Sequence, residues 1–96
     1  MKKTELITGS GNGVGKVLAL VFAENNYDII AHARKQSELE AVSRQISEIG
    51  SNCYCIQGDL REDKTLEELY EIAREKDINV LINNAATRCP GLPLEQ

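Results

Sequence analysis

Four short apolar segments alternate with three helical stretches, and a glycine-rich turn separates the first segment from the first helix. That alternation predicts an α/β fold: a parallel, Rossmann-type sheet with flanking helices, truncated after its fourth strand. Each connection is long enough to hold a crossover helix, so the strands should run parallel and the crossovers should be right-handed.

The first segment, Thr4 to Thr8, is apolar at Leu6 and Ile7 without polar alternation, which suits a strand covered on both faces. The glycine turn follows from Gly9 to Gly15. From Val14 to Asn25 the period becomes helical, and Val14, Val17, Leu18, Val21 and Phe22 form one expected buried stripe. Asp28 to Ala33 is the second strand. A second helix opens at Gln36 or Ser37, where Ser37 and Glu40 have capping-box spacing. Leu39, Val42, Ile46 and Ile49 are its expected buried face, and Gly50 its C-terminal cap. Asn52 to Gln57 is the third strand. Asp63 or Thr65 starts a third helix with Leu66, Leu69, Tyr70 and Ala73 inward. Ile78 to Ile82 is the fourth strand, and the stretch from Thr87 to Gln96, with Pro90, Gly91 and Pro93, is read as loop.

Composition bounds the function. The 96 residues suit one small domain, and the 42% hydrophobic content is that of a globular chain. With no tryptophan and one phenylalanine, the core must be mostly aliphatic. Eleven basic residues face fifteen acidic ones, a formal charge of −4, and the basic residues cluster only at Lys2-Lys3 and Arg34-Lys35. Neither a nucleic acid nor an anionic membrane is an expected partner. Cys53, Cys55 and Cys89 are an odd count, which points to a reducing compartment. Cys53 and Cys55 are expected as small buried side chains on one side of a strand, and no metal site is expected. No apolar run approaches the ~20 residues needed to span a bilayer, and the residues before the first strand are too few for a signal peptide. The expected location is cytoplasmic. His32, the single histidine, is read as a packed or surface strand residue.

The segment Thr8-Gly9-Ser10-Gly11-Asn12-Gly13-Val14-Gly15 carries the clearest functional signal. Between a strand and a helix, such a loop lets backbone approach a pyrophosphate closely, and the helix start presents N–H groups and the positive dipole end to it. The expected contacts are Gly9, Ser10, Asn12, Gly13, Val14 and Gly15. A magnesium-dependent phosphate loop is excluded, because Val17 follows Lys16 where a Ser or Thr is required.

Here the chain resembles the short-chain dehydrogenase/reductase family, whose first motif is Thr-Gly, three variable residues, then Gly-Ile/Val-Gly. Thr8 to Gly15 matches it throughout. A later family motif, Asn-Asn-Ala-Gly, appears as Asn83-Asn84-Ala85-Ala86, and the Asp expected after the third strand is Asp59, followed by Leu60. The resemblance spans the chain but less than half of a typical member. It implies that Asp59 accepts a hydrogen bond from the adenine amino group and that Leu60 packs near the ring. It also implies that Asn83 ties the fourth strand to its neighbours, and that Ala85 and Ala86 border the cofactor. Otherwise Asp59 is a helix cap and Asn83-Asn84 a strand-ending turn.

The cofactor implied is a nicotinamide dinucleotide. NAD-specific sites usually place an acid after the second strand, to accept from the ribose hydroxyls. This chain has Ala33 and then Arg34-Lys35. A guanidinium can pair with a 2′-phosphate, so by resemblance Arg34 selects NADP, with NAD also possible. The alternative is a solvated charge pair opening the second helix. Asn12 departs from the basic residue that many NADP-preferring relatives carry in the loop.

In the family the reaction also uses a Tyr-x-x-x-Lys pair, a Ser and an Asn. Tyr70 is followed four positions on by Arg74, and Tyr54 by Gly58, so these catalytic groups are expected outside this sequence. The leading expectation is an NADP-dependent oxidoreductase acting on a small carbonyl or alcohol, with this chain as its cofactor-binding part. As an intact protein it is expected to form a homo-oligomer. A catalytically inert nucleotide-binding or regulatory module is the alternative. A third possibility is an assembly protein that uses the fourth strand for pairing.

Overall fold

The computed structural model describes residues 2–84, so the expectations for Ala85, Ala86, Cys89 and the loop from Thr87 to Gln96 lie outside the described residues. The order is β1 (Lys3–Ile7), α1 (Gly13–Glu24), β2 (Tyr27–Ala33), α2 (Gln36–Ile49), β3 (Cys53–Gln57), α3 (Asp63–Lys76) and β4 (Val80–Ile82). The strands form one parallel sheet in the order β3-β2-β1-β4. The expected α/β class, element order and Rossmann-type topology are all present. Strand ends differ from the sequence reading by one or two residues, because ladder bonds rather than side-chain character end a strand.

Alternation along the strands divides the core. Ile7, Ile29, Ala31 and Ala33 face α1 and α2, packing on Ala19, Ala23, Leu39, Val42 and Ile46. Leu6 and Ile30 face α3 and pack on Leu69, flanked by Tyr54, Ile56, Ile72 and Ala73. The core is aliphatic, as the composition requires. Gly50 ends α2 in the left-handed region (φ 104°), and the α2 cap N–H groups reach the Ile46 and Ser47 carbonyls.

Five local expectations are corrected. In α1 the buried residues are Gly15, Ala19 and Ala23, while Val14, Val17 and Val21 are exposed. Leu18 and Phe22 of the expected stripe are partly buried against the core. Apolar side chains lie on most sides of this helix, so periodicity alone does not fix its rotation. The small residues turn inward because they allow a close approach to the sheet. In α3, Thr65 and Leu69 are buried while Leu66 and Tyr70 are exposed. This is a rotation of about one residue, or ~100°, with Thr65 drawn in against Gly58. The Ser37–Glu40 capping box does not form: α2 begins at Gln36 with Lys35 as its N-cap and no side-chain cap bond. Cys55 is exposed and Cys53 half-buried, because β3 is an edge strand. Ile49 is also exposed, at the end of the α2 face.

One core residue breaks the apolar pattern. Glu5 pairs with Ile29 on β2 and Val80 on β4 and shares the Ile7 face. It is fully buried, and neither carboxylate oxygen has a hydrogen-bond partner among the described residues. Desolvation by burial pushes its pKa up from 4.5 to about 7. The folded state therefore favours the protonated acid. Its stabilising contribution is complete below about pH 4.5 and is lost as pH rises through about 7. The loss corresponds to about 3 kcal/mol. Glu5→Gln removes the titration and keeps the shape. Urea denaturation should show the variant about 2–3 kcal/mol more stable than wild type at pH 8 and nearly equal at pH 4.5. An equal difference at both pH values would rule out a titrating Glu5.

Candidate nucleotide site

The strands are parallel, so the segments leaving β1, β2, β3 and β4 gather at one edge of the sheet. β1 leads through α1 to β2 on one side, while the chain returns through α3 to β4 on the other. The crevice between β1 and β4 is therefore the topological switch point, where ligands of open α/β sheets bind.

The glycine loop fills this point. Gly9 (φ 66°) and Gly13 (φ 57°) lie in the left-handed region, which glycine enters without the Cβ penalty. Gly15 is required for a different reason. A Cβ there would collide with the Gly9 carbonyl oxygen and lie 2.7 Å from Asn84 Nδ2. A Cβ on Gly11 would lie 2.7 Å from Glu38 Cβ and 3.0 Å from Ala33 Cβ.

Ser10 is fully buried and stitches the loop to β2. Its N–H donates to the His32 carbonyl (2.8 Å), and its hydroxyl accepts from the His32 N–H (2.9 Å). Asn12 is the N-cap of α1 but makes no side-chain cap bond; its Nδ2 donates to Glu38 Oε2 instead (2.9 Å). The first α1 turn contains no acid, and Val14 within it is exposed. Its N–H groups have no intrahelical acceptor, a suitable receptor for an anion.

Arg34 is exposed directly after β2 and makes no ion pair with another described residue. Its carbonyl accepts from Gln57 Nε2 (3.2 Å), and Gly58 N–H donates to the Ala33 carbonyl (3.1 Å), so the ends of β2 and β3 are held side by side. Asp59 is closed onto Arg61, which donates through its backbone N–H (2.9 Å), Nε (3.1 Å) and Nη2 (2.7 Å). The Arg61 side chain and N–H, with Arg34 nearby, hold the Asp59 carboxyl well below the usual carboxylate range. Leu60 packs on the α3-side cluster. At the end of β4, Asn83 Oδ1 accepts from the Thr8 hydroxyl (3.2 Å) and Asn84 Nδ2 donates to the Gly9 carbonyl (3.1 Å).

The structure therefore gathers Gly9, Ser10, Asn12, Gly13, Val14, Gly15, Arg34, Asp59, Leu60 and Asn83 at the strand ends. Two further residues belong to the assembly. Glu38 holds Asn12, and the His32 ring contacts Gly9 and Gly58. Spacing along one helix or strand carries no signal for such bonds, since their partners lie 23 to 26 positions away. Among the described residues no cluster could hold a metal, and no helix is long and apolar enough to cross a membrane.

The close approach of Gly15 to Gly9 makes a prediction. Gly15→Ala should destabilise the chain by about 1–3 kcal/mol, since its Cβ meets a backbone oxygen that cannot rotate away. Thermal unfolding reads the effect; an unchanged midpoint would contradict this packing.

The short-chain dehydrogenase family model matches residues 3–95. A 3-oxoacyl-acyl-carrier-protein reductase FabG from Aggregatibacter actinomycetemcomitans is 43% identical over 61 residues, 62% of this chain and 25% of the relative. An NADP-dependent 3-hydroxy acid dehydrogenase YdfG from Salmonella typhi is 37% identical over 82 residues, 83% of this chain and 32% of the relative. Among solved structures, a short-chain dehydrogenase from Sphingobium yanoikuyae in complex with NADPH superposes with a TM-score of 0.78 at 34% identity. The match covers 85% of this chain and 33% of that one. The chain thus spans about a quarter to a third of the length of these proteins. With its glycine loop at the switch point and the family model matched along nearly all its length, the chain belongs to the short-chain dehydrogenase family.

Proposed function

We propose that this chain is the nucleotide-binding part of an NADP-dependent oxidoreductase that transfers hydride between nicotinamide and a carbonyl or alcohol substrate. One observation carries the preference for NADP: an exposed arginine, not a carboxylate, follows β2 beside the glycine loop. A 2′-phosphate there would pair with the Arg34 guanidinium, and an acid would repel it. The relatives named as NADP-dependent or bound to NADPH agree with this reading.

The residues fit a dinucleotide along the strand ends. The start of α1 and the backbone of Gly9, Gly13 and Gly15 would receive the pyrophosphate. Arg34 would hold the adenosine ribose phosphate, with Asp59 and Leu60 toward adenine. Asn83 would tie β4 to the loop beside the cofactor, and Ala85 and Ala86 would border the nicotinamide half. When bound, the nicotinamide supplies or accepts the hydride. The sequence holds no Tyr-x-x-x-Lys, so the acid that protonates the developing alkoxide would come from residues outside it. A cytoplasmic location and a homo-oligomeric intact protein belong to the same reading. Leu81, 62% exposed on β4, and the valine face of α1 are apolar surface that further packing would cover.

Calorimetric titration with NADPH and NADH tests the assignment. NADPH should bind more tightly. Arg34→Ala should weaken NADPH by about ten- to a hundredfold, the magnitude of a lost charge-assisted hydrogen bond. NADH should be unchanged within about twofold, well under the ~1.4 kcal/mol that a tenfold change represents. Equal affinities for both nucleotides in wild type and variant would overturn the NADP assignment.

A further inference from the structure

His32 lies on the α3 face of β2, opposite Ile56 of β3, and is 2% exposed. Its Nδ1 is 3.1 Å from the Gly9 N–H, which can only donate. Its Nε2 is 2.9 Å from the Gly58 carbonyl, which can only accept. The two partners together require one protonation state: Nδ1 bare, Nε2 protonated, the ring neutral.

We infer that His32 is a positioning residue for the nucleotide site, its neutral ring clamping the glycine loop to the turn after β3, and that protonating the ring releases the loop. The role rests on the nucleotide-binding reading given above. The ring joins the two ends of that site. On one side, Gly9 accepts from Asn84 through its carbonyl and lies against Gly15 at the start of α1. On the other, Gly58 (φ 153°) is backed against the Thr65 side chain and leads into Asp59. The His32 backbone completes the clamp through Ser10. Ring and backbone of one residue thus fix two successive positions of the glycine loop.

An imidazolium carries a proton on both nitrogens. Its Nδ1–H would face the Gly9 N–H across 3.1 Å, in a site too buried for water to intervene. One of the two donors must then move; the ring is tied at Nε2 to the Gly58 carbonyl and its backbone sits within the β2 ladder, so the displacement falls on the loop. The charged surroundings bear on this in both directions. Burial lowers the pKa of His32 below 6.5. The Gly58 carbonyl and Asp59 of the β3–α3 turn oppose that shift, while Arg34 at the end of β2 adds to it. The balance is downward. Asp59 is itself closed onto Arg61. Thr65, which faces this turn from α3, and loop residues 9–13 carry no titratable side chain. The clamp is therefore complete at neutral pH and is lost only as pH falls through a midpoint below the ordinary histidine value.

The opposite role, an imidazolium that attracts the phosphates, predicts the opposite pH dependence, so one experiment separates them. NADP affinity of the full chain is measured from pH 5 to pH 8 in wild type and in His32→Gln. Wild type should lose affinity below pH 6.5 more steeply than the variant, and the variant should bind several-fold more weakly at pH 8. The 2′-phosphate titrates in the same window, but in both proteins, so the difference between the two profiles isolates His32. Nuclear magnetic resonance on wild type needs no variant. The His32 ring should show the Nε2–H tautomer at pH 7.5, and the Gly9 amide should shift with the ring's own midpoint. By reciprocity, NADP should move that midpoint lower. An Nδ1–H tautomer, a Gly9 amide indifferent to the ring, or affinity that rises as His32 protonates would overturn the role. A folded chain that binds no NADP at pH 7.5 removes the nucleotide reading and this role with it. NADP binding with parallel profiles removes the role alone.

Discussion

The close approach of α1 to the sheet underlies the rest of the structure. Gly15, Ala19 and Ala23 are the buried face of the helix, so its axis comes nearer the sheet than a valine face would allow. At its first turn the approach becomes tightest, where Gly15 lies against the Gly9 carbonyl and Asn84. The loop joining β1 to α1 must then double back within a few residues, which places Gly9 and Gly13 in the left-handed region. The same contact brings the end of β4 onto the loop, through Thr8 to Asn83 and Gly9 to Asn84. Helix start, loop and β4 end are one packed unit, and the orientation of the α1 N–H groups follows from it.

Much of this was legible in the residues. Alternation of apolar runs and helical stretches gave the element order, because a parallel sheet needs a crossover between each pair of strands. Gly50 marked the end of α2, since the left-handed cap favours glycine. The rotations of α1 and α3 were not legible, for two physical reasons. The α1 sequence is apolar nearly all round, so a hydrophobic stripe does not choose between the valines and the small residues. The α3 face is set by Thr65, a polar residue that pattern reading leaves outside, and it is buried because Gly58 has no side chain to exclude it. The exposure of Cys55 follows from β3 being an edge strand, which strand position alone does not reveal.

The site was legible to different depths at different residues. Gly9, Gly13 and Gly15 follow from backbone need and are visible in the spacing. Ser10 was expected at the cofactor, yet its side chain is wholly engaged with the β2 backbone. Asp59 was expected toward adenine, and here its carboxylate is closed onto Arg61. His32 and Glu38 carry no local pattern at all. Each acts on a loop more than twenty positions away, and only the packing of β2 and α2 against that loop brings them to it.

Charge placement explains how a chain of net charge −4 can present an anion site. The nearby acids are individually engaged: Asp59 by Arg61 and Glu38 by the Asn12 amide. The first turn of α1 has none. Arg34 and Lys35 stand exposed at the end of β2, and Arg34 makes no direct ion pair with another described residue. Of the two acids on the strands, Asp28 pairs with Lys2 at the far end of β2, and Glu5 lies on the α1-facing side, where desolvation favours its neutral form and so lowers its repulsion of an anion. The local field at the strand ends is therefore set by an arginine, a lysine and a helix N-terminus, whatever the sum over the whole chain.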